Sequence, residues 1–278
     1  MRTEEFRDFE RKLSAINRNF SHGLFLSEQF LIDNALLIAN NAQALSKDVY
    51  TNNRYRVKFN YRLKNIPNEI TQYQKASFIS FYVFIYSAFE LYTEDLFTLV
   101  GKILLTRSKR PKQASTLEAI FLTLGTVISR HLNTSEIDTL DYIRLRRNCL
   151  VHADGRPSAR LLRLANTKGH QLKRYWQSSR TQLNIIDFSA PDIGQFDERE
   201  IIDSIMLLRE LAKRIDQAVL SLLKREAIIA YILRDFQKDF AKDIKSKPRR
   251  RLESMFASIA KRRFNIDRNE INFAALVF

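Results

Sequence analysis

Phe78-Ile79-Ser80-Phe81-Tyr82-Val83-Phe84-Ile85-Tyr86-Ser87-Ala88-Phe89-Glu90-Leu91-Tyr92 is the stretch on which the fold turns. Its apolar residues continue through Leu96, Leu99, Ile103 and Leu104 at three- and four-residue steps, the period of a helix face. This predicts a long helix from Ile70 to about Thr106. The first half is apolar nearly all round, so it should be buried on most sides, with a subunit boundary as one way to cover it. The uncharged run Ala76 to Phe89 covers fourteen residues, short of the ~20 that a membrane-spanning helix requires. Met1 to Phe9 carries five charged residues and has no apolar middle of the signal-peptide kind. The expectation is a soluble, cytoplasmic protein that does not enter a membrane.

Outward from that helix, only six glycines and five prolines punctuate 278 residues. All-β folds need many turns, so the scarcity points to an all-α bundle of long antiparallel helices. Thr3 to roughly Lys47 reads as helix with an interruption near His22-Gly23. Tyr50, Tyr55, Val57, Phe59, Tyr61 and Leu63 alternate with polar residues, which suggests a minor extended segment near 50–65 that ends at Pro67. The basic stretch Arg107-Ser108-Lys109-Arg110-Pro111-Lys112 closes the long helix, and Leu117 to His131 reads as a shorter one.

Ser135 suits the N-cap of the next helix, with Glu136 and Asp138 in a first turn that favours acidic groups. Ile137, Leu140, Tyr142, Ile143, Leu145 and Leu150 supply its buried face, and Gly155 and Pro157 mark its end. Ser158 to Trp176 reads as helix with a break at Lys168-Gly169, and Leu183 to Ser189 as a short extended piece. Asp197 and Glu200 have capping-box spacing ahead of one long helix from Glu198 to about Asp243. The apolar end Ile271 to Phe278 needs burial, so the basic C-terminal segment should dock rather than trail. The chain thus divides into an N-terminal segment 1–69, a helical core 70–244 and a basic C-terminal segment 245–278.

The net charge of +15 is unevenly spread. Residues 101–180 hold 16 Lys/Arg against 5 Asp/Glu, a surplus of +11, whereas residues 181–223 carry −4. Clustered positive charge selects polyanions, most simply nucleic acid. The basic run Lys247-Pro248-Arg249-Arg250-Arg251 fits either RNA contact or a solvated face. Cys149 is the single cysteine, which excludes an internal disulfide and a cysteine-rich metal site. The four histidines form no HxH or HExxH pair, so neither zinc nor another cofactor is expected.

Within the basic segment, Arg146-Arg147-Asn148-Cys149-Leu150-Val151-His152-Ala153-Asp154-Gly155 concentrates the chemistry at a helix foot. At ~100° per residue, Asn148 and His152 share one face, with Arg147 to their side and Arg144 one turn earlier. Arginine binds phosphate bidentately and stays charged. Histidine moves protons near neutrality, and an amide can orient a phosphate oxygen or the imidazole. Arg147, His152 and Asn148 are therefore the candidate catalytic residues; Arg144, Arg146, Arg156 and Arg160 are the candidate RNA contacts. For RNA the set suffices without metal: a base takes the 2′-hydroxyl proton, the oxygen attacks phosphorus, and a cation holds the charge that builds. A two-fold dimer would supply the second imidazole that one chain lacks.

Arg147-Asn148-Cys149-Leu150-Val151-His152 resembles the signature of the HEPN superfamily: an Arg, a polar neighbour, and a His after four to six intervening positions. Ser87-Ala88-Phe89-Glu90-Leu91-Tyr92 is similar to the first core helix of those domains, and His152-Ala153-Asp154-Gly155 to the bacterial RNase-like branches. The resemblance implies a HEPN-like helical bundle over about residues 70–240. It also implies a metal-independent RNase of toxin–antitoxin or phage-defence type, with a composite active site in a homodimer and an antitoxin or defence-system protein as partner. Arg147 and His152 would be catalytic and Asn148 supportive. Asp154 stands where the nucleotidyltransferase-associated branch has a tyrosine, which argues against that branch. Two other readings use the same basic face: a non-catalytic nucleic-acid-binding or dimerisation module, and a scaffold for a protein partner. On ordinary grounds Cys149 is a small core residue, Asp141 and Asp154 are charge partners of nearby arginines, and His131 and His170 have no role. The Phe/Tyr stripe from Phe78 to Tyr92 is core or interface rather than a stacking platform.

Overall fold

A computed structural model describes residues 1–106, 110–111, 114–152, 156–178, 183, 186–189 and 197–278. The described residues form an all-α fold without a strand. Helix α1, Glu4–Asp33, opens under a Thr3 cap whose hydroxyl accepts the Phe6 N–H at 3.1 Å, with Glu4 and Glu5 set against the helix dipole. It runs straight through Gly23, contrary to the expected interruption. A lone glycine costs ~1 kcal/mol against alanine, which the buried stripe of Phe6, Phe9, Leu13 and Phe20 on the same helix outweighs. The break comes at Asn34, whose side chain donates to the Phe30 carbonyl, and α2 (Ala35–Asn40) follows.

After the short α3 (Ser46–Val49) the chain is turns, not the expected extended segment. A strand needs a partner edge, and here a single bridge between Leu45 and Arg62 is all that pairs. Pro67 does not end this segment but lies in the first turn of α4, Ile66–Leu104, where its missing N–H leaves no bond unmade. α4 is the axis of the fold. Phe6 meets Tyr92, Phe9 meets Phe89 and Phe20 meets Phe78, so α1 lies antiparallel against it. Burial is less complete than expected: Phe84 is 57% exposed.

Helix α5, Thr116–Thr123, starts in a Ser115/Glu118 capping box. It stops well before His131, because Gly125 takes φ 75° and the chain re-forms only as a 3-10 turn at Ile128–Arg130. α6, Thr134–His152, is capped by Asn133 rather than Ser135. The Asn133 side chain accepts the Glu136 N–H while the Glu136 carboxylate accepts the Asn133 N–H, each at 2.9 Å. Of the expected stop residues, Pro157 follows the helix end and Gly155 lies outside the described residues, as do Asp154, Arg107, Ser108, Lys109 and Lys112.

α7, Ala159–Ser178, returns antiparallel along α6: Tyr175 bonds Glu136, Trp176 bonds Thr139, Lys168 bonds Asp138 and the Ser158 N–H reaches Cys149. It is unbroken at Lys168-Gly169. Gly169 is there because a Cβ would sit 2.5 Å from the Ser189 Cα and 2.6 Å from the Phe188 carbonyl, so the following turn rests on bare helix backbone. The expected single helix from Glu198 is three: α8 (Glu198–Leu222), α9 (Arg225–Asp239) and α10 (Ala241–Ser246). The bend at Leu223 buries that side chain and turns α9 toward α11, Arg249–Phe264. At the chain end the Phe278 ring lies 5.6 Å from Phe236 and 5.8 Å from Phe256. One buried cluster extends from Phe6 to Leu276 and draws on all three expected segments. Among the described residues, no helix is long and apolar enough to cross a membrane.

Candidate active site at the foot of the sixth helix

Adjacent arginines of α6 have opposite fates. Arg146 faces inward, 3% exposed, hydrogen-bonded to Glu200 of α8 and set 5.4 Å over the Tyr82 ring of α4. Burial pushes the Glu200 carboxyl up from the ordinary range, and the Arg146 charge pulls it back. Asp197 still caps α8 by accepting the Glu200 N–H at 2.7 Å, but the Glu200 carboxylate has left the expected capping box for Arg146. Arg146 is therefore part of the interior, out of reach of a strand lying on the surface.

One step round the helix, Arg147 stands at the edge of the solvent face. Its guanidinium lies 3.4 Å from Glu90 of α4, donates to the Asn148 side chain at 3.1 Å and sits 5.8 Å from the Tyr86 ring centre. Its Nε is buried without a hydrogen-bond partner among the described residues. Burial raises the Tyr86 hydroxyl above its ordinary range, and Glu90 adds to that, so Tyr86 remains a neutral wall. His152 closes the helix as an exposed side chain four residues beyond Asn148. Arg144 is also on this face, donating to Asp141 at 2.5 Å, and Arg160 of α7 donates to the same carboxylate at 2.9 Å. Asp141 thus holds two of the expected RNA-contact arginines side by side. Arg156 is exposed and pairs with no carboxylate among the described residues. Cys149 is buried, as a small core residue should be.

The chain therefore assembles one fixed guanidinium, one amide and one solvent-facing imidazole on α6, with Arg144 and Arg160 flanking them. His131 belongs elsewhere: it stacks on Phe121 at 5.4 Å. Among the described residues no group of three His, Cys, Asp or Glu side chains could hold a metal.

Two features were not read from sequence. Glu90 is the partner of Arg147; its lone charge after the uncharged run Ala76 to Phe89 was the available signal. The second is a groove of about 960 Å3 bounded by α1, α8 and α11, with Arg7, Arg18, Arg209 and Arg262 among its lining. Its carboxylates are neutralised, Glu4 by Arg263, Asp8 by Arg11 and Glu10 by Arg2. Those four arginines form no ion pair among the described residues, so their charge faces the groove. Residues some 250 positions apart form it, which no local pattern announces.

No family model matches the chain, and neither a curated protein nor a solved structure matches it. The likeness to HEPN domains rests on the motif residues themselves.

Proposed function

We propose that this protein is a metal-independent endoribonuclease of HEPN type, acting in the cytoplasm as a homodimer. The observation that carries the reading is the presence on one helix of an Arg147 anchored by Glu90 and Asn148 and an exposed His152 four residues beyond Asn148. In the proposed reaction an imidazole takes the 2′-hydroxyl proton and the 2′-oxygen attacks the adjacent phosphorus. The P–O5′ bond breaks, and an imidazolium returns a proton to the 5′-oxygen. The products are a 2′,3′-cyclic phosphate and a 5′-hydroxyl. Arg147 stabilises the charge on the phosphoryl oxygens, and Asn148 positions an oxygen or the ring. Since base and acid are separate roles, the second imidazole comes from a second copy.

Glu90 must yield Arg147 to the substrate. Its side chain is 47% exposed, and pairs of that kind contribute ~0–1 kcal/mol, so a polyanionic strand displaces it at little cost. The exposed Arg156 and Arg160, with the half-buried Arg144, guide the strand. In a cell such an activity fits a toxin or phage-defence effector held in check by an antitoxin-like partner.

The test is incubation of tRNA and mRNA with purified protein in EDTA, beside His152→Ala and Arg147→Ala. Cleavage by the wild type alone, leaving cyclic phosphate ends, is expected. Cleavage that survives both substitutions, or that EDTA abolishes, refutes the mechanism. Mixing wild type with an excess of the His152→Ala chain should depress cleavage more than dilution alone if the two imidazoles of one site come from two copies. One observation favours a second reading: Arg147 already pairs with Glu90, as it could in a binding-only nucleic-acid or dimerisation module. Tight RNA binding by the wild type without any cleavage would select that reading.

A further inference from the structure

The segment between α3 and α4 takes no part in the site above. Residues 49–68 contain Arg54, Arg56, Lys58, Arg62 and Lys64 and no acidic residue. None of the five cations pairs with a carboxylate among the described residues. Between them Tyr55, Val57 and Phe59 stand in solvent, Tyr55 at 51% and Phe59 at 48% exposure. The Arg54 guanidinium lies 4.7 Å from the Tyr55 ring centre and the Lys58 ammonium 5.6 Å from that of Phe59.

The segment is held in shape. The Ser46 hydroxyl donates to the Phe59 carbonyl at 2.8 Å and accepts the Tyr61 N–H at 2.9 Å. The Ser46 N–H donates to the Tyr61 carbonyl at 2.7 Å, and Leu63 beside it is fully buried. The rings are thus presented by a pinned loop, which lowers the ordering cost of any ligand they receive. Counting 1.5 Å per residue along α4 from Ile66 to Tyr86, the loop lies about 30 Å from the Arg147 site.

We propose that this loop is a binding platform for single-stranded RNA, with Tyr55 and Phe59 stacking on bases and Arg54, Arg56 and Lys58 contacting phosphates. Exposed rings interleaved with unpaired cations match the alternation of bases and phosphates in an unpaired strand. A lipid surface fits less well, because an interfacial segment presents a continuous apolar face, and here Tyr55 and Val57 each stand between two cations and Phe59 between Lys58 and Asn60. Asn52, Asn53 and Asn60 add exposed amides, which base edges use and acyl chains do not. The platform does not depend on the cleavage reading, since it holds a strand without acting on it.

The experiment measures binding of a 2′-O-methyl oligouridylate 12-mer, which a 2′-hydroxyl mechanism cannot consume. Tyr55→Leu/Phe59→Leu keeps the apolar character and removes the rings. It should bind roughly tenfold or more weakly, given the size of base–aromatic stacking. An abasic 12-mer should bind the wild type as weakly as the normal 12-mer binds that variant. Arg54→Gln/Arg56→Gln/Lys58→Gln should flatten the slope of log affinity against log salt by about 2, at ~0.7 per phosphate contact on a single strand. A 4-thiouridine 12-mer should crosslink within residues 50–64. Unchanged affinity in the leucine variant, or crosslinks that avoid this segment, overturns the proposal. So does capture of wild type and leucine variant alike by phosphatidylserine vesicles, which would mark a membrane-surface patch.

Discussion

Arg146 of α6 and Glu200 of α8 form a buried ion pair that locks the candidate catalytic helix to the bundle. Removing one partner leaves the other charged and buried, which costs about 3–5 kcal/mol. Arg146→Ala should therefore lower the urea midpoint strongly, with any loss of activity following the loss of fold. An Arg146→Ala protein of wild-type stability would remove the pair from this role.

Glu90 and Arg147 form the contrasting pair, at the surface. Glu90→Gln should change stability by less than ~1 kcal/mol. It should tighten RNA binding and raise cleavage at low salt by releasing the guanidinium, an effect that fades as salt screens the charges. Weaker RNA binding by this variant would mean that Glu90 orients Arg147 rather than competing for it.

Two helical glycines should respond oppositely to alanine. Gly23 has open space around its missing Cβ, so Gly23→Ala should stabilise by about 0.5–1 kcal/mol. Gly169→Ala would drive a methyl into the backbone of Phe188 and Ser189. It should destabilise by roughly 1–3 kcal/mol, the usual range for overpacking. Thermal melts of the two variants test both, and an unchanged Gly169→Ala melt would mean that the 186–189 turn yields freely.

Stability should fall as pH rises through the acidic to neutral range. Burial raises the Glu5 carboxyl to about 7, against the lowering effects of its backbone hydrogen bond and Arg263. Burial raises Asp216 to about 6, although Thr3 donates to it from both its hydroxyl and its N–H. Folding thus favours the protonated forms. Their contribution is complete below the unfolded values of 4.5 and 3.8 and is lost as pH climbs through 7 and 6. Glu5→Gln should flatten the urea-midpoint profile between pH 4.5 and 7; a profile as steep as the wild type's would assign the dependence elsewhere.

Helix type and order were legible because they follow from local periodicity: the stripe from Phe78 to Leu104 marks α4 whatever surrounds it. Boundaries were less so. Asn133 displaced Ser135 as a cap, and the helix after Asp197 bent at Leu223, because side-chain bonds and packing choose among several adequate local signals. The alternation in 50–65 misled for the same reason: period two marks a strand only where another strand is at hand.

The amino-acid sequence by itself determined that the chain is all-helical, that its charge is strongly positive, and that Arg147, Asn148 and His152 lie at one end of one helix. These depend on spacing and composition alone. Only the tertiary structure decided that Arg146 is interior while Arg147 is at the surface, since both fit the same helix and the difference lies in where Glu200 and Glu90 arrive. It alone gathered Arg7, Arg18, Arg209 and Arg262 around one groove. It alone left Tyr55 and Phe59 uncovered at the end of a long helical pair. Charge and burial of a single side chain depend on neighbours remote in sequence, and those neighbours exist only once the chain has folded.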